Sequence, residues 1–206
     1  GVYSHSVYDR VRGVTKRLLP DLVNIESTSS GITSFDEFGF TIGSNAGNNN
    51  TSSTYTNWCW KAGGEPTAPN TAGAGEIPTT GSVKIDGVNK TDVLAGTNPA
   101  TKISANTTSG FSIVSYTGTN ANGTVGHGLD SAPELIIVKS RTQVSGWYTY
   151  SKSIPNTKAL NLSTTGGEFT TVDSWNSTSP TPTVFSLGTN GNVNYTSSNT
   201  YIAYCF

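Results

Sequence analysis

The sequence predicts an all-β protein: an antiparallel β-sandwich or jelly-roll-like module, accompanied by an incomplete second copy of itself. Three observations carry the prediction. Apolar and aromatic runs of strand length recur about every ten residues between Gly, Asn, Ser and Pro turn signals. No stretch sustains a helical period for longer than about one turn. Residues 40–60 nearly repeat residues 185–206.

The repeat is read directly from the residues. Phe40-Thr41-Ile42-Gly43-Ser44-Asn45 closes on Tyr55-Thr56-Asn57-Trp58-Cys59-Trp60, and Phe185-Ser186-Leu187-Gly188-Thr189-Asn190 closes on Tyr201-Ile202-Ala203-Tyr204-Cys205-Phe206. Each copy has an alternating arm, a Gly/Asn/Ser turn and an aromatic second arm, the pattern expected of a β-hairpin. Further upstream, Thr15-Lys16-Arg17-Leu18 returns 142 positions later as Thr157-Lys158-Ala159-Leu160, whereas the two cysteines are 146 apart. Small loop insertions account for the drift.

In chain order, residues 1–60 open with Tyr3 and Tyr8 around Arg10, Arg12, Lys16 and Arg17, opposed locally by Asp9 alone, a net +3 over the first twenty positions. These cations are candidates for contact with an anion such as phosphate or a lipopolysaccharide core. A solvated edge whose charges discourage unwanted pairing is the favoured reading. Phe35, Phe38 and Phe40 alternate with other residues toward the first repeat arm. Residues 61–105 are expected to be a Gly/Pro/Thr-rich linker, because no apolar period survives up to Gly81. Within it, Asp86-Gly87 between alternating flanks is a strong hairpin signal.

Residues 106–206 read as one complete module. Its expected strands run through Phe111, Ile113 and Tyr116, then the doubly buried run Leu135-Ile136-Ile137-Val138, then Trp147, Tyr148 and Tyr150, then Leu160 and Leu162, and finally the closing hairpin. Residues 1–60 correspond only to the second half of this module. Such a half has open edges, so it is expected to be completed by the other copy, by another subunit or by more of a longer protein.

Composition limits the chemistry. The chain has 206 residues, a formal net charge of −1 and only 12% charged residues, against about 25% in ordinary soluble proteins. Long-range steering of nucleic acid is therefore not expected. No membrane span or signal peptide is read, and the lack of methionine points to a start other than the translated one. Cys59 and Cys205 are expected to be buried thiols acting as small hydrophobes.

Several runs resemble a repeat domain of unknown function found in tail-fibre-like structural proteins of marine bacteriophages. They include Tyr8-Asp9-Arg10-Val11-Arg12-Gly13, Ile32-Thr33-Ser34-Phe35, Gly39-Phe40-Thr41-Ile42-Gly43, Trp58-Cys59-Trp60-Lys61-Ala62-Gly63-Gly64, Gly81-Ser82-Val83-Lys84-Ile85-Asp86-Gly87, Val125-Gly126-His127-Gly128-Leu129 and Thr200-Tyr201-Ile202-Ala203-Tyr204-Cys205-Phe206. The resemblance covers nearly the whole chain. It implies tandem modules in longer chains, a place in virion fibres or host-recognition proteins, and no catalytic residues.

Candidate chemistry is sparse. His127 lies between glycines with no ligand-spaced partner and reads as a hydrogen-bonded turn residue. A glycosidase pair of carboxylates would first be sought at Glu168 and Asp173. Trp58 and Trp60 lie on a periodic strand and read as core or intersubunit packing. Trp175, in the polar stretch Asp173-Ser174-Trp175-Asn176, is the expected exposed anchor for a glycan, with Asp173 and Asn176 supplying hydrogen bonds.

The expectation is a non-enzymatic phage virion fibre or adhesin module, homo-oligomeric and trimeric, joined to other virion proteins and contacting a host-surface glycan. No cofactor, metal, nucleic-acid partner or membrane insertion is expected, and the location is the virion. Two rivals are carried: a capsid decoration or tube-coating protein without a receptor, and a polysaccharide-degrading fibre domain.

Overall fold

A computed structural model describes residues 3–206 and shows an all-β architecture, consistent with a β-sandwich. The strands are β1 (Lys16–Arg17), β2 (Ser27–Thr28), β3 (Ile32–Phe35), β4 (Phe40–Ile42), β5 (Val83–Ile85), β6 (Val88–Asn89), β7 (Ala100–Asn106), β8 (Phe111–Thr117), β9 (Gly123–Gly126), β10 (Leu135–Ser140), β11 (Tyr148–Ser151), β12 (Lys158–Asn161), β13 (Phe169–Thr170), β14 (Val184–Leu187) and β15 (Thr200–Cys205). Nine of them form one sheet in the order β13-β12-β11-β10-β15-β8-β7-β5-β6. Only β5 and β7 run parallel within it.

The sheet is covered on both faces, and its central strand shows why. Along β15, Tyr201, Ala203 and Cys205 enter one hydrophobic cluster while Ile202 and Tyr204 enter the other. Side chains alternate across a strand, so a strand apolar at every position suits burial on both sides. The first cluster lies under the β9–β14 ribbon, which contributes Val125, Phe185 and Leu187. The second lies under the N-terminal segment, which contributes Val11 and Leu18 to Phe111, Ile113 and Trp147.

The Asp86-Gly87 turn joins β5 to β6 with φ of 52° and 85°, the left-handed pair that a two-residue hairpin of this kind requires. This hairpin forms the sheet edge through β7. The sheet therefore begins well before the expected module boundary at residue 106, because Ala100–Asn106 pairs along its length with β8.

The expected hairpin of residues 185–206 does not form. β14 pairs with β9, and β15 lies between β8 and β10. Residues 188–199 are a folded loop that carries the chain from one sheet to the other. In it, the Asn194 side-chain amide donates to Gly188 O at 2.7 Å, and the Tyr201 hydroxyl donates to Gly191 O at 2.9 Å while accepting from Tyr195 N at 2.8 Å.

The repeat is nevertheless structural. The Val7–Leu18 bridge matches the Thr149–Leu160 pair, and Lys16–Thr28 matches Lys158–Thr170, each shifted by 142. Asn49 donates to Gly43 O at 3.0 Å as Asn194 does to Gly188. The Tyr55 hydroxyl donates to Ala46 O at 3.0 Å and accepts from Asn50 N at 2.9 Å, as Tyr201 does with its own loop. Beyond Tyr55 the copies diverge, since residues 55–60 form no strand. Among the described residues, β4 has no counterpart of β9 to pair with, and it pairs with β3 instead.

Candidate functional site

Trp175 is not a surface anchor. Its ring is 1% exposed, its Nε1 donates to Lys158 O at 3.2 Å, and it meets the Tyr150 ring edge-on at 6.0 Å between centroids. Asp173 and Asn176 do face water, but Ser174 is buried with Trp175, and the tight turn from Thr171 to Ser174 carries the indole inward. Stacking of Trp175 on a sugar is thereby excluded in this conformation. Asp173 and Asn176 stay at the surface. Asp173 accepts from Thr171 Oγ1 at 3.1 Å and from the Asn190 side chain at 3.3 Å, and Asn176 holds a φ of 50°.

Beside this loop lies a shallow open depression of about 440 Å³, lined by Pro133, Tyr150, Lys152, Pro155, Asn156 and Pro180. Lys152 pairs with Glu134 at 2.6 Å across its rim, both side chains largely in water. Nothing in the depression resembles the two free carboxylates of a glycosidase. Glu168 is ion-paired with Lys158, and Asp173 is bonded as described.

The four N-terminal cations do not converge on one surface. Arg12 is interior: its Nε meets Asp9 at 2.6 Å, its Nη1 meets Glu26 at 3.3 Å, and its Nη2 donates to Val7 O at 3.0 Å. Burial alone would push the Asp9 pKa up, but the Arg12 charge and backbone N–H, together with the Tyr204 hydroxyl, hold it below the ordinary carboxylate value. Burial likewise works against the Arg12 charge, and Asp9 more than offsets it. Arg10 donates to Asp36 O at 2.9 Å and lies over the Phe35 ring, Lys16 reaches Thr28, and the buried Arg17 Nε has no protein partner.

Glu26 links this group to the complete module, because Arg141 donates to both of its carboxylate oxygens at 2.9 Å. Trp147 Nε1 donates to Leu19 O at 3.0 Å, and Ser145 N donates to Val23 O at 3.0 Å. Lys139 is fully enclosed, and burial brings its pKa down to about 8, although Ser140 O, Ser145 Oγ and Val23 O all accept from it within 3.4 Å. Of the four cations that sequence alone offers to an anion, Arg12 thus serves, through Asp9 and Glu26, to fasten one half-module to the other.

His127 is the turn residue expected. Its Nδ1 accepts from Leu129 N at 3.1 Å and its Nε2 faces Thr181 O at 3.1 Å, which fixes the neutral tautomer protonated on Nε2. Burial lowers its pKa, against the opposing pull of the Thr181 carbonyl. Among the described residues no group of three or more His, Cys, Asp or Glu is placed to hold a metal ion, and no helix is long and apolar enough to cross a membrane.

The largest unexpected surface is aromatic. Every residue from 51 to 60 is exposed, with Trp58 at 80%, Trp60 at 56% and Tyr55 at 41%. Cys59 is exposed too, contrary to expectation, whereas Cys205 is buried, and burial drives its thiol pKa well up. Trp60 touches the complete module through Phe206 at 5.7 Å and Phe111 at 6.2 Å between centroids. The signal for this surface lay in the repeat itself, which aligns residues 55–60 with the central strand of a sheet.

A family model described as "Domain of unknown function (DUF7483)" matches residues 1–88 and 95–206. No curated protein and no solved structure matches the chain.

Proposed function

We propose that this chain, which belongs to the DUF7483 family, is a non-enzymatic structural module of an extended assembly: a fibre or adhesin module of a phage virion, homo-oligomeric and in contact with the host surface. The observation that carries the reading is the stacking of a half-module on a complete one, fastened by Arg141–Glu26 and Trp147–Leu19. The exposed, strandless stretch 51–60 leaves backbone groups that β-pairing with a neighbour can satisfy, which suits a building block. The low charge and the Ser/Thr/Asn-rich surface fit a protein that works in contact with water and glycans outside the cell.

Host contact is assigned to the polar loop of Asp173 and Asn176 and the adjoining depression, where Lys152 and Asn156 present hydrogen-bond donors. A map of the intact particle is the direct test, with the expected result that this chain repeats along a fibre. A position on the capsid shell instead would favour the decoration reading. On an array of bacterial surface polysaccharides, binding is expected to be lost in the Lys152→Ala/Asn156→Ala variant. Release of reducing sugar by the purified chain would overturn the non-enzymatic reading.

A further inference from the structure

A second depression, of about 370 Å³, opens on the half-module beside the Val7–Leu18 bridge and the turn at residues 45–47. It is lined by Tyr3, Ser4, Ser6, Asn45 and Gly47, and by Arg17 of β1, the one charged side chain in its wall. Arg17 is half-buried, and its Nε is enclosed with no hydrogen-bond partner among the described residues. A cation that served only to solvate an edge would extend into water. This one is held in a concave wall with no acid beside it, and a buried donor without an acceptor costs free energy.

The repeat shows that the space is particular to the first copy. Arg17 stands where the complete module has Ala159, fully buried in its core. Ser6 stands where Tyr148 packs edge-on against Phe169. Ser4 and Gly47 match Gly146 and Asn192, which close the equivalent gap by a bond from Gly146 N to Asn192 Oδ1 at 3.2 Å. Around the depression, Tyr and Asn have thus given way to Ser and Gly, and a core alanine to an arginine. Packing of the half-module does not require a cation there.

We infer that this depression binds an acidic sugar unit, a uronate residue within a longer polysaccharide, with its carboxylate on Arg17 and its ring against Tyr3. The planar guanidinium matches a carboxylate by two parallel hydrogen bonds. A single cation suits the single charge of a carboxylate better than the double charge of a phosphate monoester. Tyr3 is held against the turn, since a Cβ at Gly47 would lie 3.5 Å from its Cδ1, yet about half of its surface stays exposed. That leaves an aromatic wall for the C–H face of a pyranose. Asn45 Oδ1 accepts from Gly47 N at 3.0 Å, which turns the amide nitrogen toward sugar hydroxyls, and Ser4 and Ser6 add short polar groups. An apolar wall with a few placed polar groups is the usual make-up of a small-ligand site. The site is separate from the depression at Lys152 and does not depend on a virion setting.

The test titrates the full chain with trimers of galacturonate, glucuronate, mannuronate and guluronate, and with their methyl esters, which keep the ring and remove the charge. At least one trimer is expected to bind, at least about 10-fold more tightly than its ester, and to shift the Arg17 Nε–H resonance. That resonance is local, so the outcome is independent of what the Lys152 depression binds. Arg17→Gln is expected to weaken binding as much as esterification does, and Tyr3→Ala to weaken it as well. Arg10→Gln, which removes a cation outside the depression, should leave it unchanged. Without ligand, Arg17→Gln should keep the urea midpoint of the parent, because it removes a donor that bonds nothing in the protein.

If the Arg17 variant fails to fold, the ester comparison and the Nε–H shift on the unaltered chain decide alone. The proposal is overturned if no trimer binds, if the esters bind as tightly as the acids, or if the Arg17 resonance does not move. Tighter binding of inorganic phosphate, or of an acidic peptide such as triglutamate, overturns it equally, since the site would then read charge without the sugar.

Discussion

Asp9 and Arg12 sit three residues apart with both side chains enclosed, and Tyr204 closes the group by donating to Asp9 at 2.7 Å. Removing one member leaves the other as an uncompensated buried charge, which costs far more than the intact pair contributes. Arg12→Ala is therefore expected to destabilise the protein by about 3–5 kcal/mol, read as a lower urea midpoint. An Arg10→Ala variant, which loses a half-exposed contact, should stay within about 0.5 kcal/mol of the parent. Sequence alone could not separate these two arginines, because enclosure of Arg12 depends on Tyr204, 192 positions later. The burial of Trp175 is hidden from the sequence for the same physical reason, since composition reports the polarity of neighbours and not the direction of a side chain. His127 was legible because flanking glycines and a local turn bond determine its role.

Gly43 and Gly188 show the repeat at the level of a structural element. A Cβ at Gly188 would lie 2.0 Å from Asp173 O, and one at Gly43 would lie 2.0 Å from Ser30 O. In both copies the chain crosses a neighbouring backbone with room for hydrogen alone. Gly188→Ala is expected to cost at least about 2 kcal/mol through forced backbone shifts and to lower the Tm of the cooperative transition. Gly43→Ala should disturb mainly the half-module, seen as faster amide exchange in residues 30–50 with the exchange of β8, β10 and β15 unchanged. The individual strands were largely legible, because alternation and turn chemistry are local: Phe111–Thr117, Leu135–Ser140 and the Asp86-Gly87 turn lie where the pattern put them. Their partners were not. Whether Phe185 pairs with Tyr201 or with Val125 is settled by what covers each face, and no local pattern carries that information.

At the scale of the whole molecule, the half-module is fastened at residues 9–26 and open at 51–60. Brief chymotrypsin treatment is expected to cut after Tyr55 or Trp58 first, with the two fragments still co-migrating in native size exclusion, because the Glu26–Arg141 and Trp147 contacts lie on the far side of the cut. Fragments that separate would show that these contacts do not hold the halves. The incomplete copy was visible in the sequence as a repeated segment, whereas its docking onto the second face of the sheet was not, since Asp9 and Arg12 have unrelated counterparts in Ser151 and Ile154 and only Glu26 is matched, by Glu168. The place of β15 at the centre of the sheet also has a bearing on biosynthesis. Tyr116 pairs with Tyr201, 85 residues later in the chain. A ribosome adding about 5–20 residues per second leaves β8 and β10 waiting several seconds for the strand that joins them. Until Tyr201–Cys205 is made, β8 and β10 each present an unpaired edge, the kind of edge that invites pairing with another chain.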